Sequence, residues 1–132
     1  MTEEIGGSLV FPFVSGGLQL LESTGINGFN LQDATPTILS WTSPNDGNLH
    51  RVTVFMSLYV SSAETGGQIN IQYVVPSGQT NAASVTGGGS GAGAHTFTNY
   101  EIIIGPNTTV SLVQASALTA GAAVLWAEMW GS

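Results

Sequence analysis

Charge is what this sequence most lacks. Lysine is absent, and Arg51 is the single arginine among 132 residues. Charged side chains make up 7% of the chain, where a typical soluble domain carries about 25%. Eight acids against one arginine give a net charge of −7. Nucleic-acid binding needs cations that displace counterions from phosphates, and one arginine does not supply them. The same shortage excludes electrostatic adhesion to an anionic membrane. Cysteine is also absent, which rules out disulfides, thiol nucleophiles and thiolate metal sites. No apolar run approaches the ~20 residues of a membrane-crossing helix. The first residues are acidic where a secretion signal is positive, so the sequence reads as lacking a signal peptide. Lys, Glu and Arg normally keep protein surfaces apart. A chain with so few of them tolerates having its surface covered, which points to an assembly component.

What is present is β-sheet vocabulary. The 18 glycines fall mostly between runs of β-branched and aromatic residues. No stretch reads as a helix; the alanine-rich run 115–123 is broken by Gly121. The clearest strand is 49–61. Val52, Val54, Met56, Leu58 and Val60 fall on one face, and Arg51, Thr53, Phe55, Ser57 and Tyr59 on the other. This period of two predicts a strand with one face in a core. Further strands are predicted over 37–42, 68–75, 96–104, 109–114 and 122–130. Residues 63–67 read as a hairpin loop joining 49–61 to 68–75. In the last strand Val124, Trp126, Glu128 and Trp130 share one face, and Ala123, Leu125, Ala127 and Met129 the other. Two apolar faces predict a central strand or a subunit contact. Several short strands at regular spacing predict an all-β, jelly-roll-like antiparallel β-sandwich over residues 29–132.

Residues 1–28 read as an extended N-terminal arm. Its apolar side chains, Ile5, Leu9, Val10, Phe11, Phe13 and Val14, need a surface to lie on, either the sandwich itself or a partner. The glycine-rich run 87–94 has almost no side chains to pack and predicts a flexible loop.

The chemical motifs are weak. Gly87, Gly89 and Ala92 fit a dinucleotide-binding spacing, but no helix follows to hold the pyrophosphate. Ser90 lies between glycines without completing a nucleophile elbow, since Ala92 occupies the fifth position. The two histidines, His50 and His95, read as surface or strand-end residues. Asn45, Asp46 and Asn48 offer oxygens but form a turn sequence before a calcium loop. Glu64, Glu101 and Glu128 have no spacing that pairs them for glycoside hydrolysis. Asn107-Thr108-Thr109 matches a glycosylation acceptor by chance. Trp41, Trp126, Trp130, Tyr59, Tyr73 and Tyr100 could stack sugars but read first as packing residues. No constellation supports an enzyme, and no cofactor or metal is expected.

Two stretches carry a resemblance. They are SWTSPNDGNLHRV at residues 40–52 and QASALTAGAAVLWAEMWGS at residues 114–132. With residues 63–67 they resemble a small β domain of virion structural proteins from tailed bacteriophages of the actinophage type, over about residues 37–132. The strand pattern more distantly resembles the trimeric jelly rolls of the tumour-necrosis-factor and C1q families. The phage resemblance implies a capsid decoration protein that binds the outer head surface and stabilises it. It implies the major capsid protein as partner, synthesis in the host cytoplasm, and a place on the outside of the virion; the jelly-roll likeness implies a homotrimer. The arm side chains are then the expected capsid contact. Phe55, Tyr59, Trp126 and Trp130, large apolar groups on strands with two apolar faces, are the expected contact between copies. The alternative is a tail or fibre-tip module recognising host glycans through the 87–94 loop and Tyr100.

Overall fold

The computed structural model describes residues 3–5, 8–10, 17–86 and 91–131. Its elements are β1 (Glu3–Ile5), β2 (Ser8–Val10), β3 (Gln19–Ser23), β4 (Phe29–Asn30), β5 (Thr37–Thr42), β6 (His50–Gly66), β7 (Ile69–Val74), β8 (Thr80–Thr86), β9 (His95–Ile104), β10 (Thr109–Gln114) and β11 (Leu118–Gly131). Every pairing among them is antiparallel. One sheet has the order β3-β11-β6-β9, with β4 also on β11. The other has the order β5-β10-β7-β8.

The pairings nest. β3 joins β11, β5 joins β10, β6 joins β9, and β7 joins β8. Strands pair outermost with outermost and inward to the hairpin β7–β8. A long antiparallel ribbon wrapped on itself gives this wiring, which is that of a jelly roll. The all-β sandwich expected from the strand spacing is therefore the fold.

Alternation decides which side chains enter the core. Val52, Val54, Met56, Leu58 and Val60 of β6 are buried, as are Ala123, Leu125, Ala127 and Met129 of β11. Ile69, Ile71, Val110 and Leu112 meet them from the opposite sheet. β11 lies in the middle of its sheet, as its two apolar faces predicted.

The expected hairpin at 63–67 does not form. β6 runs on to Gly66, while β7 belongs to the other sheet. Gly66 and Gly67, both with positive φ, turn the chain from one sheet to the other. The register between β6 and β11 shifts three times near Leu118–Ala123. Gly121 sits in that irregular region with φ 83°, and a Cβ there would overlap the carbonyl of Ala63. The glycine read as a break is thus a bulge within a longer strand.

β8 (TNAASVT) was not expected. As an edge strand it shows no apolar alternation to read. His50 stands at a strand end, as read, since it begins β6; it is buried there, with Nε2 3.1 Å from Asp46 Oδ1 and its ring edge-on to Trp41 at 5.8 Å.

Of the expected arm, Glu3–Ile5 pairs with Ser8–Val10 in a two-stranded ribbon that contains Ile5, Leu9 and Val10. Phe11, Phe13 and Val14 lie outside the described residues, as do Gly87, Gly89 and Ser90. Residues 19–23 add β3 to the edge of the five-stranded sheet.

Candidate functional site: the outer face of the five-stranded sheet

The two outer faces differ in chemistry. On the four-stranded sheet the outward positions include Ser40, Thr42, Thr109, Ser111, Asn70 and Gln72. Hydroxyls there satisfy one another, as where Thr42 Oγ1 and Thr109 Oγ1 lie 2.7 Å apart. On the five-stranded sheet the outward positions mix large aromatic side chains with polar ones. Every large exposed hydrophobic among the described residues belongs to this sheet or to the chain flanking β3.

Register places the side chains in rows across β11, β6 and β9. One row is Val124, Tyr59 and His95; the next is Trp126, Ser57 and Phe97. Then come Glu128, Phe55 and Asn99, followed by Trp130, Thr53 and Glu101. Phe55, Tyr59, Trp126 and Trp130 therefore stand on one face.

In the second row a small residue lies between two large ones. Ser57 leaves a gap between Trp126 and Phe97, and a groove of about 830 Å³ opens there. Phe55, Asn99 and Glu128 continue its lining, and the segment from Ser23 to Ile26 forms one wall. Phe97 is 73% exposed and Phe55 45%. His95 links the face along its edge: Nε2 is 2.5 Å from Ser57 Oγ, and its ring lies 4.3 Å from Phe97 and 5.9 Å from Tyr59.

The wall is a built loop. Thr24 N donates to Ala127 O at 3.0 Å, and Ala127 N donates to Thr24 Oγ1 at 3.1 Å. Gly28 N donates to Gly25 O, and Trp126 Nε1 donates to Ile26 O. Gly28 has φ 71°, and a Cβ there would stand 2.7 Å from Val124 Cγ1 and 3.0 Å from the Trp126 ring. Only glycine lets the loop lie this close to the indole. The loop so held presents Ile26 at 94% exposure.

The charge of the site is low. Among the described residues Glu128 is the one charged residue lining the groove, and its Oε2 accepts the Trp130 indole N–H at 2.8 Å. Glu64 is buried at the far end of β6, so the three glutamates weighed for paired-carboxylate chemistry are not gathered. Among the described residues no three His, Asp or Glu side chains cluster to hold a metal. Trp41, Tyr73 and Tyr100 pack against the core, so the six aromatics do not form one sugar platform.

Sequence reasoning missed Ile26, Phe97 and Ser57. Phe97 is legible once 96–104 is read in register with His95. Ile26 stands between glycines in Gly25-Ile26-Asn27-Gly28 and carries no periodic signal.

No family model and no curated protein matches the chain. Solved structures do match. The chain superposes on infectious bursal disease virus, Gx strain, with a TM-score of 0.54 and 12% identity, covering 98% of this chain and 36% of that one. It superposes on the VP2 subviral particle of that virus with a TM-score of 0.54, 13% identity, and coverage of 86% and 32%. It superposes on the T13 viral particle with a TM-score of 0.57, 13% identity, and coverage of 87% and 30%. The chain spans about a third of the length of these viral chains. At such identities the likeness is one of fold: this chain has a jelly-roll sandwich that superposes on part of these viral chains.

Proposed function

We propose that this chain is a structural protein of a virus particle, with no catalytic role. In its finer form, it is a capsid decoration protein of a tailed-phage head. It binds the major capsid protein on the outer surface as a homotrimer. The observation that carries this reading is one-sidedness: a jelly roll whose large exposed hydrophobics, among the described residues, lie on one sheet or on the chain flanking β3, with almost no charge. The arm supplies the capsid contact through Ile5, Leu9, Val10, Phe11, Phe13 and Val14. Phe55, Tyr59, Trp126 and Trp130 supply the contact between copies. A ligand that binds only the mature shell stabilises it by mass action, and a DNA-filled head gains from such a ligand.

The test is binding of purified protein to undecorated heads. The intact chain is expected to co-sediment with them and raise their disruption temperature. A chain lacking residues 1–14 is expected to fold and not bind. Absence of binding by the intact chain overturns the reading.

A second reading, a tail or fibre-tip module for host glycans, is favoured by the groove itself. Trp126 and Phe97 flank it, and Ser57 and Asn99 supply neutral hydrogen-bonding groups. Glycan-array binding, with antibody labelling at the tail tip, would support it over decoration.

A further inference from the structure

We infer that the outer face of the five-stranded sheet is covered by a second copy of this chain, with Ile26 of one copy seated in the Ser57 groove of the next. The inference deepens the reading of the chain as an assembly component and rests on it.

Shape comes first. The face carries both halves of a fit. Ile26 projects from a loop fixed by the Trp126 indole and by Thr24. The groove beside it is a gap left by Ser57 between Trp126 and Phe97. A protrusion and a recess on one face are self-complementary about a two-fold axis, which closes a dimer; the face is then used in a two-fold contact in place of the three-fold one. Because the loop is already ordered, little conformational entropy is lost when it docks.

Charge is compatible with a copy as the occupant. Chains of net charge −7 repel, so they meet best where acids are sparse. Among the described residues Glu128 alone brings an acid to the groove, and it stays charged while it accepts the Trp130 indole N–H. The chain's single arginine also stands on this face, beside Ile103 and one row from Glu101. A turned copy therefore offers both signs to a face that offers both signs.

Area is sufficient. From Arg51 to Tyr59 the face runs about 27 Å at ~3.3 Å per residue, and four strands span about 19 Å. That is about 500 Å² in projection for each copy. Two faces reach the ~1,000 Å² total that a specific interface needs.

The experiment is light scattering over a concentration series on the wild-type chain, Ile26→Asp and Ser57→Trp, with circular dichroism as a fold control. The wild type is expected at a multiple of 13.6 kDa. Ile26→Asp, at a fully solvated position, and Ser57→Trp, which fills the recess, are each expected to weaken assembly at least tenfold and leave the spectrum unchanged. A wild type that stays monomeric throughout overturns the inference, as does undiminished assembly of both variants. Head binding measured on the same samples separates the two proposals: a monomer that still binds heads removes the copy contact and keeps the virion role.

Discussion

Trp126 Nε1 donates a 2.9 Å hydrogen bond to the carbonyl of Ile26, across 100 positions of sequence. The bond ties the most exposed aliphatic side chain of the described residues to the central strand of the aromatic sheet. It makes the loop from Ser23 to Gly28 a fixed part of the face.

Trp126→Phe keeps the ring and removes the donor. The Ile26 carbonyl then turns to water, so the cost is small, about 0.5–1.5 kcal/mol. Gly28→Ala is expected to cost more, about 1–3 kcal/mol, because it combines strain at a positive φ with overpacking on Val124 and Trp126. Urea unfolding of the two variants checks the order.

Gly121→Ala places a methyl group against the Ala63 carbonyl, where backbone stands on both sides. No side chain can move aside to relieve it. The expected loss is about 3 kcal/mol or more, at the level of severe backbone mutations. Thermal melting should show it, whereas Gly25→Ala, with open space around its Cβ, should cost only the φ strain.

Gln114 is fully buried and acts as a peptide group in side-chain form. Its Oε1 accepts from Gln32 N at 2.9 Å, and its Nε2 donates to Gln32 O at 2.6 Å and to Ser116 O at 3.1 Å. Gln114→Leu fills similar space and strands these backbone groups. The expected cost is about 2–3 kcal/mol, read by chemical denaturation with an unchanged m-value.

Asp46 sets an acid limit. Burial works to raise its pKa, but the hydrogen bond with His50 and those with Asn48 outweigh it, and the carboxyl titrates below its ordinary 3.8. A lowered folded pKa means that the stabilisation is complete above about pH 4 and is lost as pH falls through the folded value. Carbon-detected NMR titration should place this carboxyl below the solvated acids. Asp46→Asn should flatten the stability profile below pH 4.

The sandwich was legible because burial here is nearly one-sided, and one-sided burial writes a period of two into β6, β7 and β10. The aromatic face was legible in part for the same reason: Phe55 and Tyr59 interrupt what would otherwise be a polar outer row. Three things were not legible. β8 lies at an edge, and its sequence TNAASVT carries no apolar alternation. The end of β6 shifts register against β11, and a bulge erases alternation over Ser61–Ala63. Ile26 owes its position to a hydrogen bond from Trp126, and a contact across the whole chain has no local signature.

The nested pairing also orders events in time. β11 comes last of the strands described, yet it lies inside its sheet, between β3 and β6. Until it docks, β3 has no hydrogen-bonded neighbour and the long strand β6 has one side open. Partners such as Leu20 and Trp130 must find each other across almost the entire chain, and non-local pairing of this kind makes folding slow. The hydrophobic strands of this sheet thus stay uncovered until β11 docks between them. Dependence on chaperones should be greatest before that step.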